Sequence, residues 1–424
     1  MLGFTRQQLI FLGVVGVIAI VFLAVFFVGG RNPTEKINLT VWGIDDAPGW
    51  DYAISRYQKL HPNVRIKYTE LKPETYEKEL INALAAGRGP DIFMINNRWT
   101  VKHADKIAPS PVEKIPPSVF RDLFPQVAEY DFLSSNGQVY GLPLSIDTLA
   151  LFYNRDIFDK RGVALFPETW EEFLKAIPKL RTIDKSGQLI LPAAAIGGST
   201  ISIPNAPDIL ELLMLQTGAL TPDEYPSQTV DSEEGERALE FYIQFTNPRS
   251  QYYAWSDASG SSVDSFAEGK TAMLFAYAND AQWIKAKNPF LNFAIVPAPQ
   301  ADLNQAVSVA DYWGLTASSK NESPEAAWDF IVFAATDKEA TLDYLTSTGR
   351  PPALRSLINE YLNDSKLGAF ARQALTARSF YEGDDEAVRA IFDKAIRDAI
   401  NGNSIFEALR EVEAELYNLE HKGQ

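Results

Sequence analysis

The segment NGQVYGLPLSIDTLALFYNRDIF, residues 136–158, decides how this chain is read. A polar turn, Ser134-Ser135-Asn136-Gly137, leads into Val139-Tyr140-Gly141-Leu142-Pro143. An extended stretch through Ser145-Ile146-Asp147 then gives way to the apolar run Leu149-Ala150-Leu151-Phe152-Tyr153. Pro143 has no backbone donor and biases Leu142 towards extended geometry. The segment is therefore a poor helix, and it suits a chain that leaves one folded body and enters another.

Bulk properties agree with two bodies. A chain of 424 residues exceeds one ordinary core. A hydrophobic content of 46% without low-complexity tracts makes it globular beyond the N-terminus. The formal net charge of −16 excludes a nucleic-acid partner, which needs a basic patch. The acidity reads as a solubility feature before it reads as a clue to ligand charge. The absence of cysteine removes disulfides, thiolate catalysis, cysteine-ligated zinc and a cysteine-borne lipid anchor. His61, His103 and His421 are far apart and read as surface residues, so no transition-metal site and no cofactor are expected. A calcium held by carboxylates stays compatible with the composition.

Residues 9–28 form an uncharged apolar run of 20 residues. At about 1.5 Å per helical residue it is long enough to cross a bilayer core. Signal peptides usually have a shorter apolar region, roughly 7–15 residues, and Val28-Gly29-Gly30 is a poor cleavage site. Residues 1–30 are thus read as an uncleaved single-pass anchor, with 31–36 as a polar linker. Arg6 precedes the span while Arg31 and Lys36 follow it, so the positive-inside rule leaves orientation open.

Past the linker, strand and helix patterns alternate. Residues 39–42 read as a strand, 50–60 as a helix ended by His61-Pro62, and 64–68 as a strand of period two. A helix over 73–86 has Pro73 in its first turn and Gly87 at its end, and 91–95 form a third strand. This β-α-β-α-β order predicts a parallel sheet, with ligand beyond the carboxyl ends of its strands. Those ends carry Gly43-Ile44-Asp45-Asp46 and Asn96-Asn97-Arg98-Trp99. Beyond the crossover, Thr169 and Glu172 have capping-box spacing. Residues 265–275 read as helix, glycine turn and buried strand. Ser323-Pro324 caps a helix bearing Ala327, Phe330, Ile331 and Ala334 on one face. Residues 385–419 read as two helices, the first ended by Gly402 and the second capped by Ser404 with Glu407.

The crossover closely resembles that of family 1 extracellular solute-binding proteins, the maltose-binding-protein type that feeds ABC importers. The resemblance runs in order from about residue 39 to residue 357. It includes residues 167–174, the F-x-x-G-x-x-A-M block that starts at Phe266, and Ile295-Val296-Pro297-Ala298-Pro299. It continues through Asp311-Tyr312-Trp313-Gly314-Leu315, the helix after Pro324, and Gly349-Arg350-Pro351-Pro352-Ala353. It implies an α/β, two-lobed periplasmic-binding-protein-like fold of type II behind the N-terminal transmembrane helix. Lobe I is expected at 37–145 and 316–348, and lobe II at 148–308 and 354–424. The hinge crossings are expected at 146–147, 309–315 and 349–353. The globular part would face the extracellular or periplasmic side as a membrane-tethered monomer with ABC permease subunits as partners, open without solute and closed upon it.

Residues suited to a sugar, whose C–H faces stack on rings and whose hydroxyls bridge to carboxylates and amides, gather at the predicted cleft. They are Trp42 with Asp45 and Asp46, Asn96 with Arg98 and Trp99, Asp147, and Asp311 with Tyr312 and Trp313. The resemblance adds Tyr277 and Asn279, which follow the strand at 273–275. Trp99 and Trp313 carry the strongest expectation; any single aromatic also fits a core. No G-x-S-x-G, P-loop or H-E-x-x-H is present, and adjacent carboxylates such as Asp45 and Asp46 rarely flank one bond at the roughly 5–10 Å of glycosidases. The chain therefore reads as a binding protein for a small solute, a carbohydrate before others. A sensor or adhesion module of the same fold is the alternative, and a surface glycoside hydrolase fits less well.

Overall fold

The structure, a computed structural model, describes residues 36–220, 230–380 and 384–421. The apolar run at 9–28 lies outside them, and among the described residues no helix is long and apolar enough to cross a membrane.

In the first lobe the strand Ile37–Gly43 pairs in parallel with Val64–Glu70 along its whole length and with Ile92–Asn96 on its other side. The connecting helices Pro48–Leu60 and Pro73–Ala85 each begin on proline, whose missing donor costs nothing in a first turn. They turn Trp50, Tyr57, Tyr76 and Leu80 onto the sheet. Ile92–Asn96 is buried at every position, as a central strand covered on both faces requires. The parallel order stops there. The strand Trp313–Ser318 runs antiparallel to Ile92–Asn96, with Trp313 opposite Asn96, and continues against Ile107–Ala108 and Leu142–Pro143.

The second lobe is built on a three-stranded antiparallel sheet with Ala150–Asn154 at its centre, between Met273–Ala276 and Phe293–Pro297. The helices Ala206–Thr217, Glu233–Ile243, Asp385–Ile400 and Ile405–His421 pack around it. Local signals act here as expected. Thr169 and Glu172 form both halves of a capping box, Gly269 takes a φ of 71° between helix and strand, and Ser404 accepts the Glu407 amide. Ser323 does not cap its helix: its own amide is taken by the Asn321 side chain instead.

The described residues form two hydrophobic cores, one per lobe. Along the chain the first change of core falls between Ile146 and Leu149, and the second between Val309 and Ala310. At these points the connections lie side by side: Leu149 donates to the Val309 carbonyl, Asp311 to that of Asp147, and Ala310 to that of Arg378. Ser308–Val309 also pairs in parallel with Ala377–Arg378.

That third connection differs from the expected 349–353. Leu354, Leu357 and Ile358, assigned to lobe II by the sequence, pack in the first core, as do Ala371, Ala374 and Ala377. Phe370 and Phe380 join the second. The Pro351-Pro352 pair does not end the lobe. Pro352 bridges back to Ser145, and the apolar face of the helix Arg355–Tyr361 is buried on the first lobe. Gln373 fastens the true crossing: its oxygen accepts the Ala298 amide while its nitrogen donates to Thr148 Oγ1 and the Leu149 carbonyl.

Candidate functional site

The antiparallel pairing of Trp313 with Asn96 joins two loops that lie over two hundred residues apart in sequence. It sets the Trp99 and Trp313 indoles edge to face, centroids 5.0 Å apart at 79°, with both rings only partly buried. The buried Tyr76 ring supports the pair from below, 6.3 Å from Trp99 and 5.7 Å from Trp313. Tyr76 is fixed in turn by its hydroxyl, which donates to the Met94 carbonyl at 2.7 Å. Beside the indoles, the Asn96 carboxamide donates to Asp311 Oδ1 at 2.7 Å and accepts the Arg98 amide. Burial raises the Asp311 carboxyl, and the Arg98 charge pulls the other way. The result is a rigid aromatic corner flanked by hydrogen-bonding side chains, a surface suited to stacking on an apolar ring face.

Other expected residues have internal partners. Asp147 is 4% exposed, and its oxygens accept the Thr148 amide and, from the second lobe, the Ala278 amide. Burial pushes its carboxyl up to about 8 against the pull of those amides and of Arg350. Asp45 takes two hydrogen bonds from the Arg350 guanidinium, at 2.9 and 2.6 Å, and one from the Tyr344 hydroxyl. Burial opposes the Arg350 charge, and Asp45 more than restores it. Asp46, the neighbour of Asp45, is exposed. Asn279 is exposed, and Trp42 is partly buried against the first core.

Tyr312 has no exposed surface. Its ring meets Phe132 edge to face, and its hydroxyl donates to Asp131 at 2.5 Å, which makes it a core residue of the first lobe. Arg98 is also removed from solvent: its guanidinium is 2% exposed, among Asp208, Glu211 and Asp385 of the second lobe. Tyr277 joins that cluster by donating to Asp208. Asn96, Arg98, Asp147, Tyr277 and Asp311 are therefore brought into one polar belt along the lobe interface. Trp99 and Trp313 lie at its edge, and Asp45 forms a separate pair with Arg350.

Sequence reasoning missed Asp208, Glu211, Asp385 and Arg389. One signal was present: Asp208 and Glu211 are a helical turn apart in APDILELLMLQT, in which residues 206–215 are all buried. Carboxylates inside an otherwise apolar helix need a cationic partner.

The profile of the family described as bacterial extracellular solute-binding protein matches residues 52–368. A galactooligosaccharide-binding protein of Bacillus subtilis (strain 168) is 24% identical over 341 residues, 78% of this chain and 76% of that protein. A maltotriose-binding protein of Pyrococcus abyssi (strain GE5 / Orsay) is 22% identical over 329 residues, 74% of this chain and 66% of that protein. Among solved structures, a cyclo/maltodextrin-binding protein complexed with maltotetraose superposes with a TM-score of 0.74 at 19% identity, covering 93% of this chain and 99% of that one. These relatives are binding proteins, and the superposition fixes the two-lobed fold. The family match spans most of the chain, and the protein is a member of the bacterial extracellular solute-binding protein family, with an extracellular or periplasmic globular part.

Proposed function

We propose that this protein captures an oligosaccharide between its lobes and delivers it to an ABC importer, tethered to the membrane by residues 1–30. The perpendicular pair of Trp99 and Trp313, supported by Tyr76 and bordered by Asn96 and Asp311, carries this reading. Indole faces stack on the C–H faces of pyranose rings, and neighbouring carboxylates and amides accept or donate to hydroxyls. The relatives support the same class, since those reported above are named for maltotriose, galactooligosaccharide and maltodextrin. A neutral solute also suits the electrostatics: the guanidiniums of Arg98, Arg350 and Arg389 all face carboxylates of the protein itself. Asp46, Asn279 and Trp42 are further contacts in this reading, and the three connections serve as the hinge.

Calorimetric titration of the purified full chain with malto- and galacto-oligosaccharides tests the proposal. Saturable binding is expected for one series. Replacing Trp99 or Trp313 by alanine is expected to weaken it by about 1–3 kcal/mol while the thermal midpoint stays near wild type. Early melting with unchanged affinity would assign both rings to the core.

A further inference from the structure

Arg98 follows the central strand of the first lobe, yet its charge is met by the second. Its guanidinium nitrogens stand 3.2 Å from carboxylate oxygens of Asp208, Glu211 and Asp385. Asp208 and Glu211 lie on the helix Ala206–Thr217 and Asp385 opens the helix Asp385–Ile400, both packed in the second core. Within that lobe the set is already fixed, because Arg389 grips both Asp208 oxygens at 2.7 Å and Glu211 accepts the Phe380 amide. The first lobe contributes the Arg98 cation. Further out, Lys102 of the first lobe repeats the arrangement with Asp384 at 3.1 Å.

Such a cluster behaves differently in a hinged molecule than in a rigid one. A buried ion pair adds little net stability to a fixed fold, since desolvation offsets attraction. Lobe separation, however, removes one partner and leaves the other behind. Asp208, Glu211 and Asp385 stay together in the second lobe with Arg389 as the remaining guanidinium. An excess of like charge in a partly desolvated site is costly, and that cost falls on the open state.

We propose that Arg98 is a positioning residue that latches the two lobes together, so that an ionic clasp at the interface sets the balance of open and closed forms alongside solute contact. This rests on reading the protein as a hinged receptor, but it needs no solute for its test. The clasp acts on lobe geometry. Solute affinity responds only through the population of closed molecules.

The absence of cysteine allows clean labelling. Lys59 and Glu240, exposed on the first and second lobes, are replaced by cysteine in the full chain and spin-labelled for pulsed distance measurement. In buffer without sugar, Arg98→Ala is expected to raise the ratio of open to closed molecules at least about tenfold. Arg98→Lys, which keeps the charge, is expected to restore most of the closed population. Distances in Arg98→Ala that match the parent, including a parent that is already wholly open without sugar, would overturn the latch. Should that variant fail to fold, Asp385→Asn decides, because its carboxylate is 25% exposed and removable without a core defect. Opening supports the clasp, and unchanged distances overturn it. Saccharide binding without opening in these variants would sink the latch alone. Opening in a chain that binds no saccharide would sink the oligosaccharide reading alone.

Discussion

Asp147 lies where the chain passes from the first core to the second, and its carboxylate accepts the amides of Thr148 and Ala278. Those donors favour the ionised form, but burial outweighs them and pushes the carboxyl up to about 8. An unfolded aspartate titrates near about 3.9. The folded protein therefore holds this proton longer than the unfolded chain does. The stability it contributes is complete below about pH 4 and is lost as pH rises through about 8, by at most about 1.4 kcal/mol per unit. Across that window the thermal midpoint of wild type is expected to fall relative to that of Asp147→Asn. A difference that stays constant with pH would place the titration elsewhere. Asp45 gives a second residue-scale expectation. Removing Arg350 leaves a buried carboxylate with the Tyr344 hydroxyl but no cation, so Arg350→Ala should cost about 3 kcal/mol in denaturant melts. A loss below about 1 kcal/mol would show that solvent replaces the guanidinium. Both residues stood out in the sequence, Asp45 in a strand-end loop and Arg350 in a family block. Their pairing across 305 positions did not, because no local period or spacing encodes it.

Elements were easier to read than their partners. The strands and helices of residues 37–96 follow from alternation, the proline start at Pro73 and a glycine stop, all short-range effects. The antiparallel insertion of Trp313–Ser318 was not legible, since strand order depends on which edge remains unpaired after the rest has folded. The third connection was misplaced for a related reason: Pro351-Pro352 looks like a boundary locally, while burial of Leu357 and Ile358 decides the lobe. One position ties crossover to core strand tightly enough to test. A Cβ on Gly314 would stand 2.6 Å from the Leu142 carbonyl oxygen, a backbone atom held in the pairing of the two strands. Gly314→Ala must therefore push the crossover strand off its partner. A loss of about 1–3 kcal/mol is expected by urea unfolding, the range of overpacked sites. Wild-type stability would mean that the pairing of Leu142–Pro143 contributes nothing to the fold.

At the scale of the whole molecule, the proposed tether bears on how the lobes would deliver a solute. A receptor that delivers solute by closing its lobes gains from staying near the transporter it serves. The six linker residues 31–36 span at most about 22 Å even when fully extended. If residues 9–28 remain in the bilayer, the folded lobes are confined to a thin layer over the membrane, where a permease would meet them at high effective concentration. A released protein would depend instead on diffusion and on affinity for the permease. The expectation of a span rests on hydropathy and length alone, whereas retention depends on whether a peptidase accepts Val28-Gly29-Gly30. The full chain is expected in the membrane fraction, resistant to alkaline wash, with a mature N-terminus near Met1. Deleting residues 1–30 should yield a soluble protein with unchanged solute affinity, since among the described residues the aromatic corner and both cores lie at residue 37 or later. A native mature N-terminus near Arg31 in a soluble fraction would overturn the tether, and with it the confinement that favours delivery by a tethered receptor.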